Sequence, residues 1–124
     1  MKKILIIEDE VDTAKVLAKR VGGAGYDVSM AYDAYGGLAA LRKEQPDLIL
    51  LDLMLPAGGG ISVLENMTLS GGGREVPVIV LTASKDERFK DKVLKIGVEA
   101  FMEKPYDPEE LLSTIKKVLG EEEA

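Results

Sequence analysis

Five residues have types and positions suited to handling a hard metal ion and a phosphoryl group. They are Glu8, Asp9, Asp52, Thr82 and Lys104. Each sits at or just beyond the end of a short apolar run. Glu8 and Asp9 follow Ile4 to Ile7, Asp52 closes Asp47 to Asp52, Thr82 follows Val76 to Leu81, and Lys104 follows Ala100 to Met102. Three carboxylates gathered at one place repel one another and raise their own pKa values unless a cation lies between them. Magnesium suits that role, since it takes a few carboxylates plus waters and leaves room for a phosphate oxygen. The chain has no histidine and no cysteine, so the softer metals lose their preferred ligands. Lys104 adds a mobile positive charge and Thr82 a hydroxyl donor. Together these groups form an apparatus for phosphoryl transfer to a carboxylate. Taken singly, each has a plainer reading as a turn residue, a helix cap or a solvated lysine. Their joint placement carries the argument.

The elements that must position them are legible as apolar runs alternating with amphipathic stretches. Ile4 to Ile7 reads as a buried strand and Val11 to Ala24 as a helix, with Val11, Ala14, Leu17, Ala18 and Val21 at helical spacing. Tyr26 to Ala31 is a second strand. Asp33 is an N-cap for a helix carrying Leu38, Ala39 and Leu41, which stops before Pro46. Asp47 to Asp52 is a central strand. A helix follows over Ile61 to Leu69, with Ile61, Leu64 and Met67 on one face, ending before Gly71 to Gly73. Val76 to Leu81 is a strand, and Lys85 to Ile96 a helix with a stripe of Phe89, Val93 and Ile96, closed by Gly97. Ala100 to Met102 is the last strand. Pro108 opens the last helix, to Leu119, which buries Leu111, Leu112, Ile115 and Val118.

This alternation predicts an α/β fold of three layers: a parallel sheet of five strands with five helices over its faces. Right-handed crossovers leave few arrangements, and the flavodoxin-like strand order 2-1-3-4-5 suits the length. In such sheets the site lies beyond the carboxyl ends of the strands, where the five residues fall. At 124 residues the chain has the length of one domain, residues 1–124. A net charge of −6 argues against nucleic-acid binding by this domain. The apolar runs fall far short of the roughly twenty residues of a membrane span, so neither a membrane helix nor a signal peptide is expected and a cytoplasmic location follows.

The segments ILIIEDE, DLILLDLMLP, PVIVLTA and AFMEKP, in this order and at these distances, resemble the receiver domains of bacterial two-component response regulators over essentially the whole chain. The resemblance implies that Asp52 is the phosphoacceptor. It implies a magnesium site of Glu8, Asp9, Asp52 and the backbone carbonyl of Met54, with Thr82 and Lys104 contacting the phosphoryl group. It also implies a cis Lys104-Pro105 bond and a switch in which Thr82 moves inward and Phe101 follows, changing the face of helix 4, strand 5 and helix 5. The plainer reading of Phe101 is core packing. The implied partners are a sensor histidine kinase or phosphotransfer protein upstream and a protein target or output domain downstream, with dimerisation of the phosphorylated form open to the family. Such a chain is a switch that assists its own phosphorylation and dephosphorylation rather than an enzyme.

Two features depart from the family pattern. Ala57 to Gly60 replaces bulkier or acidic residues, which predicts a looser loop beside the acceptor; the other glycine pairs read as flexibility, at about 1 kcal/mol each inside a helix. Met54 stands two residues after the acceptor and Ser84 two after Thr82, flanking the path of the hydrolytic water in the family. Methionine orients water poorly, so slow loss of the phosphoryl group is expected. Three rival readings are weaker. An aspartyl-phosphate phosphatase would carry a second Asp where Met54 stands, a dinucleotide binder would carry glycines where Glu8-Asp9-Glu10 stands, and a module that had lost phosphorylation would not keep all five residues.

Overall fold

The computed structural model describes residues 1–55, 59–69 and 76–121. In chain order the elements are β1 (Lys3–Ile7), α1 (Val11–Gly23), β2 (Asp27–Ala31), α2 (Ala34–Glu44), β3 (Leu48–Asp52), α3 (Gly59–Leu69), β4 (Val78–Thr82), α4 (Glu87–Ile96), β5 (Ala100–Glu103) and α5 (Pro108–Val118). The strands form one parallel sheet in the order β2-β1-β3-β4-β5, the flavodoxin-like arrangement expected from the sequence.

Strand alternation divides the core into two layers. Ile4, Ile6, Leu48, Leu50, Ile79, Leu81 and Met102 pack with Leu17 and Val21 of α1 and with Leu111 and Ile115 of α5. Leu5, Ile7, Ile49, Leu51, Val78 and Val80 face the other way, onto Leu38 and Leu41 of α2, Val63 and Leu64 of α3 and Val93 of α4. Strands β3 and β4 are buried on both faces, which is why they read as unbroken apolar runs. Helix starts are set by aspartates. Asp33, Asp86 and Asp107 accept from the backbone N–H of Gly36, Arg88 and Glu109 respectively. Gln45 and Gly97 take left-handed conformations that end α2 and α4. Among the described residues no helix is long and apolar enough to cross a membrane.

Register decides where the chemistry goes. Ile7 lies opposite both Ala31 and Leu51, Asp52 opposite Leu81, and Thr82 opposite Glu103. Parallel pairing continues one step beyond the strands: Glu8 N–H donates to Ala31 O (3.0 Å), Leu53 N–H to Leu81 O (3.0 Å) and Lys104 N–H to Thr82 O (2.8 Å). The backbones of Glu8, Leu53 and Lys104 are thereby held by the sheet.

The structure differs from the sequence reading in four helices: Val11 of α1 and Ala39 of α2 are exposed rather than on the inner stripe, and α3 and α4 depart further. Helix α4 starts at Glu87 behind its Asp86 cap, and Phe89 is 39% exposed, outside the stripe assigned to it. Helix α3 starts at Gly59, two residues early, and Gly59 and Gly60 are buried in it. A Cβ on Gly60 would run into the carbonyl oxygen of Leu53 and lie 2.7 Å from its C and Cα atoms. This glycine therefore answers a close approach of helix to strand end, not a need for looseness. Residues 56–58 and Gly71 to Gly73 lie outside the described residues.

A pair of substitutions separates these roles. Gly22→Ala, in α1 with only Val28 Cγ2 at 3.9 Å, is expected to stabilise the fold by about 0.5–1 kcal/mol through helix propensity. Gly60→Ala gains the same propensity but collides with backbone, so a net loss of about 1–3 kcal/mol is expected. Urea unfolding of both variants decides it, and a Gly60→Ala protein as stable as the parent would remove the packing explanation.

Candidate phosphoryl-acceptor site

Beyond the carboxyl ends of β1, β3 and β5 four of the five residues meet, and Thr82 stands at the end of β4 beside them. Glu8 is 4% and Asp52 8% exposed, while Asp9 is open to solvent. One carboxylate oxygen from each of Glu8, Asp9 and Asp52 can be chosen so that all lie within 4.8 Å of one another. Lys104 reaches in from the end of β5, with Nζ 3.0 Å from Glu8 Oε1 and 3.4 Å from Asp52 Oδ2. The other Asp52 oxygen accepts from the backbone N–H of Met54 at 2.9 Å. The Lys104-Pro105 bond is cis.

The electrostatics show what this cluster lacks. Burial, then the shared contact with Asp52, pushes the Glu8 carboxyl up to about 7, against the opposing pull of Lys104. Burial alone would lower the Lys104 ammonium, but its bond to Glu8 and the charges of Asp52 and Glu8 outweigh it, and the net shift is upward. One lysine pairs with two of the three carboxylates. Glu8 Oε2 is buried with no hydrogen-bond partner among the described residues. An orphaned carboxylate oxygen beside two other oxygen donors is what a hard divalent cation satisfies. The cluster fits such an ion by its donor chemistry, by this orphan atom and by its unbalanced charge.

Thr82 is fully buried at the end of β4. Its Oγ1 accepts from Ser84 N–H (3.0 Å), and Ser84 Oγ accepts from Asp86 N–H (3.2 Å). The hydroxyl is thus engaged with its own loop and makes no recorded contact with Asp52. Phe101 lies in β5 opposite Val80, half-buried against the α2–α4 layer. Met54 is half exposed between buried Leu53 and Leu55. Sequence reasoning did not single out Thr13 and Tyr106, which line a small cleft together with Glu8, Asp52 and Lys104. Tyr106 follows the Lys104-Pro105 pair directly. That adjacency was the available signal.

A doubly wound parallel sheet with an acidic, lysine-capped cluster at its switch point defines the class of the molecule: a flavodoxin-like α/β protein with a carboxylate-centred site. Within that class the family is settled by comparison. The model of the response regulator receiver domain matches residues 4–116, and the chain belongs to that family. It is 36% identical over 118 residues to the probable transcriptional regulator ycf27 of Porphyridium aerugineum, covering 95% of this chain and 48% of that protein. It is 33% identical to the phosphate regulon transcriptional regulatory protein PhoB of Escherichia coli K12, covering 95% and 52%. The chain thus spans about half the length of these relatives. The crystal structure of a CheY-like receiver domain protein from Methanospirillum hungatei JF-1 superposes with a TM-score of 0.89 at 30% identity, covering 98% of this chain and 95% of that one.

Proposed function

We propose that residues 1–124 are one receiver domain that takes a phosphoryl group on Asp52, from a sensor histidine kinase, a phosphotransfer protein or a small acyl phosphate. The observation that carries this reading is the convergence of Glu8, Asp9 and Lys104 on a nearly buried Asp52, with Thr82 at the end of the neighbouring strand. The Asp52 carboxylate attacks phosphorus, the bond to the donor's nitrogen or oxygen breaks, and the leaving group departs with the electron pair. Hydrolysis later returns the carboxylate and inorganic phosphate. Magnesium, held by Glu8, Asp9, Asp52 and the backbone carbonyl of Met54, would neutralise the charge that gathers on the phosphoryl oxygens. Lys104 is already within reach of Asp52 and can follow a phosphoryl oxygen there. Thr82 gives up its bond to Ser84 N–H and turns inward, and Phe101 follows.

The consequence is a two-state change at the face of α4, β5 and α5, read by an output domain or a separate protein, or by a second copy in a phosphorylation-dependent dimer. The activity is that of a switch rather than an enzyme acting on other molecules. Its phosphoryl source draws on nucleotide, so the reading assigns the chain to the cytoplasm.

Intact mass after incubation with magnesium and acetyl phosphate tests the assignment. The parent is expected to gain one phosphoryl mass and Asp52→Asn none. No gain in the parent, or equal gain in both proteins, would remove Asp52 from the centre of this account.

A further inference from the structure

The inner side of α4 carries a charge where an apolar residue would be expected. Val93 is buried, and the residue one turn before it on the same side is Lys90, half-buried rather than solvated. Its Nζ stands 5.8 Å from the centroid of the Phe101 ring. That distance is within the range where a ring's negative face attracts an ammonium group. Phe101 sits on β5, an edge strand of the sheet, opposite Val80 and two positions before Glu103, the partner of Thr82. The ring therefore packs on the α4 side of the sheet with the α4 lysine over it, on the strand beside the one that carries Thr82.

We propose that Lys90 is a positioning residue that holds Phe101 in the resting position and so sets how readily Asp52 is phosphorylated. The inference rests on the reading that Phe101 turns inward when Thr82 moves. The attraction operates only while the ring lies under Lys90, so it favours the resting state and is lost on turning. Two contacts must then be broken for activation: Ser84 N–H to Thr82 Oγ1 at 3.0 Å, and Lys90 to the Phe101 ring. An attraction of this kind at a partly exposed site corresponds to about a two- to five-fold bias in the populations. If the active-like state is the one that reacts, the rate of phosphorylation scales with its population.

The test is the initial rate of phosphorylation by acetyl phosphate with magnesium, read by intact mass. Lys90→Met keeps the length of the stem and removes the charge, and is expected to react about two- to five-fold faster than the parent. Lys90→Gln should behave alike and serves if the methionine variant does not fold. Lys90→Arg, which keeps a cation over the ring, should return to the parental rate. In a Phe101→Leu background the acceleration should vanish, because Lys90 then has no ring to hold. A Lys90→Met protein that reacts at the parental rate or slower overturns the proposal, as does an acceleration that persists without the Phe101 ring. Failure of the parent itself to gain mass would instead strike the phosphoacceptor reading, so the two failures are distinguishable.

Discussion

Lys104→Met is expected to slow phosphorylation by acetyl phosphate by about a hundredfold or more and to destabilise the metal-free fold by about 2 kcal/mol at pH 8. The first effect follows from position. Lys104 Nζ is the one side-chain cation recorded within 3.4 Å of Asp52 among the described residues, and methionine leaves the incoming phosphoryl charge without it. Preorganised groups of this kind are typically worth two to three orders of magnitude in rate. The second effect follows from what remains behind: Glu8 and Asp52, both nearly buried, facing each other without a cation. Breaking a fully buried pair costs about 3–5 kcal/mol. Here the cost is smaller, because 26% of the Lys104 side chain meets solvent and because Glu8 can take up a proton.

That escape has a sign. Glu8 already sits at about 7 in the folded chain against an ordinary value of 4.5, and without Lys104 it moves higher. A folded state that holds a proton the unfolded state has released loses stability as pH rises through that window. The variant should therefore be close to the parent at pH 5 and fall away from it toward pH 8. Urea unfolding in chelator at the two pH values measures the difference. Added magnesium should stabilise both proteins, since a cation in the cluster replaces the missing ammonium charge. A variant equally destabilised at both pH values would mean that Lys104 acts through packing of its stem rather than through its charge.

The fold and site were legible in the sequence to different depths, for physical reasons. Strands β1, β3 and β4 announced themselves because burial on both faces demands unbroken runs such as LILL and VIVL. Once those runs were strands, parallel pairing left Glu8, Asp52, Thr82 and Lys104 at one edge of the sheet, and the ladder bonds of Glu8, Leu53 and Lys104 are the realised form of that rule. The pattern failed where a contact depends on distance rather than period. Gly60 reads as a flexible spacer until the Leu53 backbone is seen beside it. Phe89 looks like the start of an apolar stripe because hydrophobicity alone favours it. The rotation of α4 instead gives the half-buried position to Lys90, whose ammonium stands 5.8 Å from the centre of the Phe101 ring. Tyr106 carried no motif of its own and was placed at the cleft by the turn after Lys104.

Met54→Asn is expected to shorten the life of the phosphoryl group on Asp52 about tenfold. Met54 is half exposed two residues after Asp52, between buried Leu53 and Leu55, and its backbone N–H already serves Asp52 Oδ1 at 2.9 Å. Its side chain is thus free to vary while the main chain keeps its roles toward Asp52 and the cation. A thioether accepts hydrogen bonds weakly and cannot donate one, so water arriving at phosphorus is unguided from this side. Ser84, the residue flanking the other side, has its Oγ accepting from Asp86 N–H and its N–H donating to Thr82. An asparagine amide offers both a donor and an acceptor. One such bond made in the transition state, at about 1–1.5 kcal/mol, corresponds to roughly a tenfold rate. Phosphorylation by acetyl phosphate followed by rapid removal of the donor, with loss of the phosphoryl mass followed in time, gives the half-life directly. Magnesium affinity should be unchanged, because the group assigned to the ion at this position is a backbone carbonyl. A half-life equal to the parent's or longer would mean that the rate of hydrolysis is set elsewhere, with the engaged loop of Thr82 and Ser84 the next place to look.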